Sequence, residues 1–293
     1  MNCPICNKQS FHEWGRSGAF TILRCKGCGI GITSPFPTIE DLTKVNHDIY
    51  QVDQRIQTYL SKQEYFEKRY RKYIKQIKLY KENGDLLDIG CNIGLFLKVA
   101  QQNGFSTTGV ELNKECAHYG QQFFKLKIFS GYLEDIGFHK GNFDIVTLFD
   151  VLEHIPDIIG FIAEVRRILK TNGLLVLQSP NIDSVMAKLT KSKWNWLCPP
   201  DHLYHFTPET MIRFLTSNGF TIKEIKTWEP AEDFCNNLIM AYQPDGILGK
   251  LCSKVIRLIK IPLYFVSLFQ HLWWRKLKGG LIEIYAIKSE EVR

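Results

Sequence analysis

From residue 85 to residue 228, short apolar runs alternate with amphipathic stretches, and this alternation constrains the fold of the 293-residue chain more than any other feature. Residues 86–89, 107–110, 127–129, 143–149 and 173–179 read as strands. Residues 95–103, 113–124, 158–169 and 207–218 read as helices, and Gly104 and Gly219 stop two of them. Strands separated by helices and short turns call for parallel neighbours, because a parallel pair can be joined only by a crossover. With two further strands at 220–228 and 281–288, the expectation is an α/β fold. Its core is a doubly wound, mostly parallel, seven-stranded Rossmann-like sheet with helices on both faces.

A different pattern stands ahead of this region. Cys3-Pro4-Ile5-Cys6 and Cys25-Lys26-Gly27-Cys28 form C-x2-C-x18-C-x2-C, a spacing suited to four thiolates on one zinc ion. The N-terminus has neither a basic n-region nor an apolar h-region, so the expected compartment is the cytoplasm, where patterned cysteines mean metal rather than disulfides. Two facing knuckles leave no open coordination position, so Cys3, Cys6, Cys25 and Cys28 are expected to hold a structural Zn2+. Cys91, Cys116, Cys198, Cys235 and Cys252 lack ligand spacing and read as packing residues. The expected organisation is a zinc ribbon over 1–33, a helical linker or lid over 34–83, and an α/β domain over 84–293 with an insertion at 230–280. The linker carries an aromatic stripe of Tyr59, Phe66, Tyr70, Tyr73 and Tyr80 at helical spacing.

Three features of the α/β region carry chemistry. The first strand runs into Asp88-Ile89-Gly90-Cys91-Asn92-Ile93-Gly94, a glycine-bearing turn that opens a helix. It is neither the G-x-G-x-x-G dinucleotide fingerprint nor a P-loop. Glu111 ends the second strand about twenty residues on, where a carboxylate can accept both hydroxyls of a ribose. Asp150-Val151-Leu152-Glu153-His154 follows the fourth strand, at the edge where the reacting end of a ligand lies. Together these segments resemble the class I S-adenosylmethionine-dependent methyltransferases, through LLDIGCNIGLFL, GVEL, FDIVTLFDVLEHIPD and LKTNGLLVLQSPN in the expected order. The resemblance implies an enzyme whose cofactor is S-adenosyl-L-methionine. Asp88, Gly90, Cys91, Asn92 and Gly94 would hold its methionine part and Glu111 its ribose. Leu112 would also bind the cofactor, Tyr132, Leu133 and Glu134 would border the adenine, and Phe149 and Asp150 would line the sulfonium end. Asn92 departs from the glycine of many members.

The acceptor side rests on Asp201-His202-Leu203-Tyr204-His205-Phe206-Thr207, which resembles the H-x-x-H-F-T segment of polysaccharide and secondary-metabolite methyltransferases. The ribbon followed by SPFPTIEDL resembles the zinc module of sugar C-methyltransferases, in which an acid–histidine pair is the base machinery. The catalytic candidates are therefore Asp201, His202 and His205; the alternative is that the histidines pin the loop. Asp150-x-x-Glu153-His154 also resembles the metal-linked cluster of ubiquinone-pathway O-methyltransferases, or else caps a helix. The expected reaction moves a methyl group to an O or C nucleophile of a small or lipid-linked acceptor, a sugar or polysaccharide precursor first and a quinone-type phenol second. A ribosomal-RNA methyltransferase and a non-catalytic cofactor-binding protein are the remaining readings.

The formal charge of +7 has a local origin. Residues 62–81 hold Lys62, Lys68, Arg69, Arg71, Lys72, Lys75, Lys78 and Lys81 against Glu64 and Glu67. Residues 250–278 hold seven bases and no acid, and the rest of the chain is net acidic. Nucleic acid is disfavoured, because a basic helix is commonly a solvated face and Ser179-Pro180-Asn181 replaces the Asn/Asp-Pro-Pro-Tyr of amino-group methylation. The uncharged run 261–274 is too short for a hydrocarbon core of about 30 Å. It is read either as a lid helix or as an interfacial one, making peripheral contact with the inner membrane face through 255–278.

Overall fold

A computed structural model describes residues 1–38, 40–42, 52–242, 269 and 271–290. The strands are β1 (Phe11–Ser17), β2 (Phe20–Cys25), β3 (Gly31–Ser34), β4 (Gly84–Ile89), β5 (Phe105–Glu111), β6 (Ile128–Ser130), β7 (Phe143–Phe149), β8 (Leu169–Pro180), β9 (Tyr204–His205), β10 (Phe220–Trp228) and β11 (Leu281–Lys288). The helices are α1 (Val52–Ser61), α2 (Gln63–Ile77), α3 (Leu95–Gln102), α4 (Lys114–Phe123), α5 (Leu133–Ile136), α6 (Ile158–Ile168), α7 (Val185–Thr190), α8 (Pro208–Ser217), α9 (Ala231–Tyr242) and α10 (His271–Trp274). They gather into two compact units. One comprises Met1–Thr38, Ser179–Phe214 and Ile225–Glu283; the other comprises Ile39–Gln178, Leu215–Glu224 and Ile284–Arg293.

The seven-stranded sheet has the order β10-β11-β8-β7-β4-β5-β6. The pairs β4–β5, β4–β7, β5–β6 and β7–β8 are parallel, as the strand–helix alternation requires. Chain order runs outward from β4 through β5 and β6 on one side, and through β7 and β8 on the other. The reversal beside β4 opens a crevice at the carboxyl ends of the strands, where open α/β sheets bind ligands. Leu86, Leu87, Ile145, Val146, Leu148 and Leu174 to Leu177 are all buried, as both faces of a covered parallel sheet must be.

The other unit is built on a four-stranded sheet, β1-β2-β3-β9. β1, β2 and β3 are local and antiparallel, whereas β9 comes from far along the chain and pairs Gly31 with His205 and Ile32 with Tyr204. A core of Ile22, Ile182, Met186, Trp194, Leu197 and Phe234 joins the ribbon strands to later segments.

Several elements differ from their sequence expectation. β8 begins at Leu169, because the end of α6 passes directly into the strand. The basic segment 62–81 forms one helix, α2, which begins at Gln63 and ends at Ile77, and α1 precedes it. β1 and β9 had no sequence reading. Residues 39 and 43–51 of the helical linker expected over 34–83 lie outside the described residues, as do Cys252 and most of 255–278. Among the described residues, no helix is long and apolar enough to cross a membrane.

Gly31 sits where β3 meets β9, and a Cβ there would lie 2.9 Å from His205 Cβ and 3.2 Å from Ile182 Cδ1 and Ile22 Cγ2. Gly31→Val is expected to destabilise this sheet by about 1–3 kcal/mol through overpacking. A urea midpoint equal to that of the wild type would contradict the tight β3–β9 contact.

Candidate active site

The turn after β4 is shaped by backbone that few side chains tolerate. Gly90 and Gly94 have φ of +72° and +82°. A Cβ on Gly90 would lie 2.6 Å from Val151 Cγ2, and one on Gly94 2.5 Å from Leu126 Cδ1. Asn92 also has positive φ, +52°, a conformation that asparagine adopts more readily than most residues. Its Oδ1 accepts from Ile93 N at 2.8 Å, so the departure from glycine is accommodated locally.

Glu111 clamps this turn from the end of β5. Its Oε2 accepts from Asn92 N and its Oε1 from Asn113 N, each at 2.8 Å. Asp88 is buried beneath the turn, where Oδ1 accepts from Thr147 Oγ1 at 2.6 Å. Desolvation, reinforced by the Glu111 charge, pushes the Asp88 carboxyl up to about 7 against the opposing Thr147 hydrogen bond. Cys91 packs against Gly109, whose absent side chain leaves room for the sulfur. Leu112 and Tyr132 present exposed apolar surface beyond β5 and β6, whereas Leu133 is buried and Glu134 exposed. The structure therefore brings Asp88, the 90–94 turn and Glu111 together, with Leu112 and Tyr132 beyond the strand ends.

Phe149 and Asp150 belong to a network that the sequence did not signal. Tyr73 of α2 stacks on Phe149 with centroids 4.7 Å apart, and Tyr70 and Phe96 close the same ring in. Gln178, from β8, donates through Nε2 to both Asp150 oxygens at 2.8 Å. Its Oε1 accepts from Arg69 Nη2 at 2.8 Å and from Tyr73 OH at 2.5 Å. Asp150 is solvent-accessible, yet protein crowds it closely enough that desolvation raises its pKa, opposed by Arg69, Gln178 and His154. Asp150 has φ +57°, so a left-handed residue carries the carboxylate. Arg69 read as one more base of a basic helix; only its place four residues before Tyr73 in the aromatic stripe marks it out.

The acceptor-side candidates lie in the other unit. His202 Nδ1 is 2.9 Å from the Trp196 carbonyl. Because a carbonyl only accepts, Nδ1 carries a proton that it donates to Trp196 O. His205 is buried, and its Nε2 lies 3.1 Å from Thr33 Oγ1. The Thr33 hydroxyl donates its one proton to His202 O at 2.6 Å, so His205 must donate to Thr33. Burial drives the His205 pKa down to about 3 and keeps the ring neutral. Thr33 N also donates to Leu203 O at 3.0 Å, so one threonine holds both ends of the His202–His205 segment. Asp201 is half-buried beside them.

At the start of the same unit the four cysteine sulfurs lie within 4.8 Å of one another. Cys3 and Cys28 are 3.4 Å apart and Cys6 and Cys25 3.5 Å, too far for disulfides. Gly27 N donates to Cys25 Sγ at 3.3 Å, as in a thiolate-holding knuckle.

The methyltransferase-domain family matches residues 62–225, more than half of the chain. The chain belongs to that family. The ubiquinone biosynthesis O-methyltransferase of Pelagibacter ubique (strain HTCC1062) is 26% identical over 180 residues, which cover 55% of this chain and 75% of that relative. The enzyme of the same description from Vibrio parahaemolyticus is 28% identical over 148 residues, 46% of this chain and 63% of its own length. The SAM-dependent methyltransferase structure from Archaeoglobus fulgidus superposes with a TM-score of 0.52 at 22% identity, covering 77% of this chain and 94% of its own. At that identity the likeness shows the fold. The chain is thus a SAM-dependent methyltransferase with a Rossmann-like sheet, and the family match begins after the cysteine cluster.

The His205 shift has a sign that can be checked. An unfolded histidine takes up a proton below about 6.5, whereas the folded one does not until about 3. Stability from this group is therefore present above pH 6.5 and lost as pH falls towards 3. Unfolding free energies from urea at pH 7.5 and pH 5 should diverge in the wild type and diverge less in His205→Gln; equal slopes would sink the assignment.

Proposed function

We propose that this enzyme transfers a methyl group to an O or C nucleophile of a small or lipid-linked acceptor, with a hydroxyl of a sugar or polysaccharide precursor as the first candidate. The observation that supports the reading is the hydrogen bond from His202 Nδ1 to the Trp196 carbonyl, which orients the ring as the candidate base. A neutral hydroxyl needs such a base, and the Trp196 carbonyl stabilises the imidazolium once the proton arrives. When bound, S-adenosylmethionine supplies an activated methyl group. The turn at 90–94 and Glu111 hold and orient the donor, while Tyr73, Phe149 and Asp150 shape its reacting end. Rate then comes from positioning and from proton removal at His202. His205, neutral and hydrogen-bonded to Thr33, orients the segment, with Asp201 as its acidic neighbour.

The second reading, a quinone-type phenol as acceptor, is supported by the relatives described as ubiquinone biosynthesis O-methyltransferases. Radiolabelled cofactor with nucleotide-linked hexoses and with catechols separates the two. Transfer to hexoses is expected, transfer to catechols alone would replace the sugar reading, and transfer to neither would end both. His202→Gln should lower kcat by about 10²–10⁴ without changing the calorimetric affinity for the cofactor.

Residues 1–33 are proposed as a structural zinc module ahead of a helical segment over 34–83 and the catalytic domain over 84–293. Four sulfurs at 2.3 Å from a tetrahedral zinc lie about 3.8 Å apart, and the observed separations fit that cage. A cytoplasmic location, with peripheral membrane contact through 255–278, completes the reading. Elemental analysis should find one zinc per chain, and Cys6→Ser should lose the metal and lower Tm. A wild-type protein purified without zinc and just as stable would refute the module.

A further inference from the structure

Glu229 follows β10 directly, is 2% exposed, and plays no part in the chemistry above. Its Oε1 accepts from Asn237 Nδ2 at 3.3 Å. Asn237 is itself fixed, because its Oδ1 accepts from Asn195 N at 2.8 Å. Glu229 Oε2 has no hydrogen-bond partner among the described residues, and neither do the buried indole nitrogens of Trp194 and Trp274. Native proteins keep few buried polar atoms unsatisfied, and those they keep are commonly completed by a ligand or water. All three belong to the same unit. The Trp196 ring packs over Gly280, where a Cβ would fall 2.5 Å from Trp196 Cζ3 and 2.9 Å from Glu229 Cδ. Trp274 packs over Gly279 in the same way, at 2.8 Å, and Trp194 meets Trp196 edge-on at 6.0 Å. The two adjacent glycines let Glu229, Trp196 and Trp274 approach the same stretch of backbone, with Trp194 beside Trp196.

We propose that Glu229, together with Trp194, Trp196 and Trp274, forms a subsite that binds a neutral hydroxylated ring of the acceptor, a sugar. This rests on the acceptor reading above and names where the acceptor is held. Burial pushes the Glu229 carboxyl up to about 8, with Asp233 adding to the rise and Asn237 opposing it, so near neutral pH the group is protonated. With Oε1 occupied by Asn237, Oε2–H is a donor, and the indole N–H groups of Trp194 and Trp274 are two more. Sugar hydroxyls accept from all three. The face of an aromatic ring suits the C–H side of a pyranose. A carboxylic acid flanked by indoles and held neutral selects against anionic and cationic ligands alike. Trp196 also accepts from His202 through its carbonyl, so the residue that fixes the proposed base carries the wall of the subsite.

The test uses the full chain with indole ¹⁵N labels and methyl hexopyranosides as probes, catechol serving as the phenolic comparison. The saccharide should shift the indole N–H signals of Trp194 and Trp274. Glu229→Leu should weaken saccharide binding about tenfold or more, while Glu229→Gln, which keeps a donor, should stay near the wild type. Cofactor affinity should be equal in all three. The wild-type shifts need no variant, so they decide the matter even if Glu229→Leu fails to fold. Unmoved indole signals at saturating saccharide, or shifts with catechol alone, would overturn the subsite. A hexose that is methylated while these signals stay still would overturn the subsite and leave the acceptor reading standing. Indole shifts without methylation of any saccharide would keep the subsite and overturn that reading.

Discussion

The pairing of β4 with β5 on one side and β7 on the other is the constraint from which the donor-binding geometry follows. It sets Asp88 opposite both Gly109 and Thr147. Gly109 makes room for the turn to fold back over the strand, and Thr147 satisfies the buried Asp88 oxygen. It also carries Glu111 to the level of Asn92 N, so the carboxylate holds the turn open through a backbone amide. Shifting that register by one residue would lose all three at once, because every side chain would change face.

Local pattern explains what the sequence revealed. The β4–β8 strands and their helices are set by periodicity within a few residues, and the positive φ at Gly90 and Gly94 is visible in residue type. The four cysteines are equally legible, since spacing alone brings two knuckles together. The network around Gln178 was not legible. Its members come from α2, β7 and β8, over a hundred residues apart at the extreme, and no short window relates Arg69 to Gln178. β9 is two residues long and exists only because β3 offers an edge. Glu229 was hidden for another reason. A single acid after a strand is ordinary in sequence, and only burial with one oxygen left unpartnered makes it unusual.

The two histidines show how environment separates neighbours of identical chemistry. His205 is shut in and holds one tautomer by donating to a hydroxyl whose proton is already committed. His202, three residues earlier, is half-buried and donates through Nδ1 to a main-chain carbonyl. Spacing marked both equally. Desolvation and different hydrogen-bond partners set the two rings apart.

The unit that contains the ribbon is assembled from three separate stretches of chain. β3 leaves the ribosome long before β9, and Thr33 must wait for a partner 172 residues downstream. At roughly 5–20 residues per second, this edge stays uncovered for about ten to thirty seconds of synthesis. An exposed strand edge invites pairing with other chains during that interval. The four cysteines that would hold the proposed zinc are complete by residue 28. The nascent ribbon then waits as a short, tethered strand pair. On the proposed zinc reading, metal supply during synthesis would govern how much correctly folded enzyme a cell accumulates, apart from any effect on the finished protein.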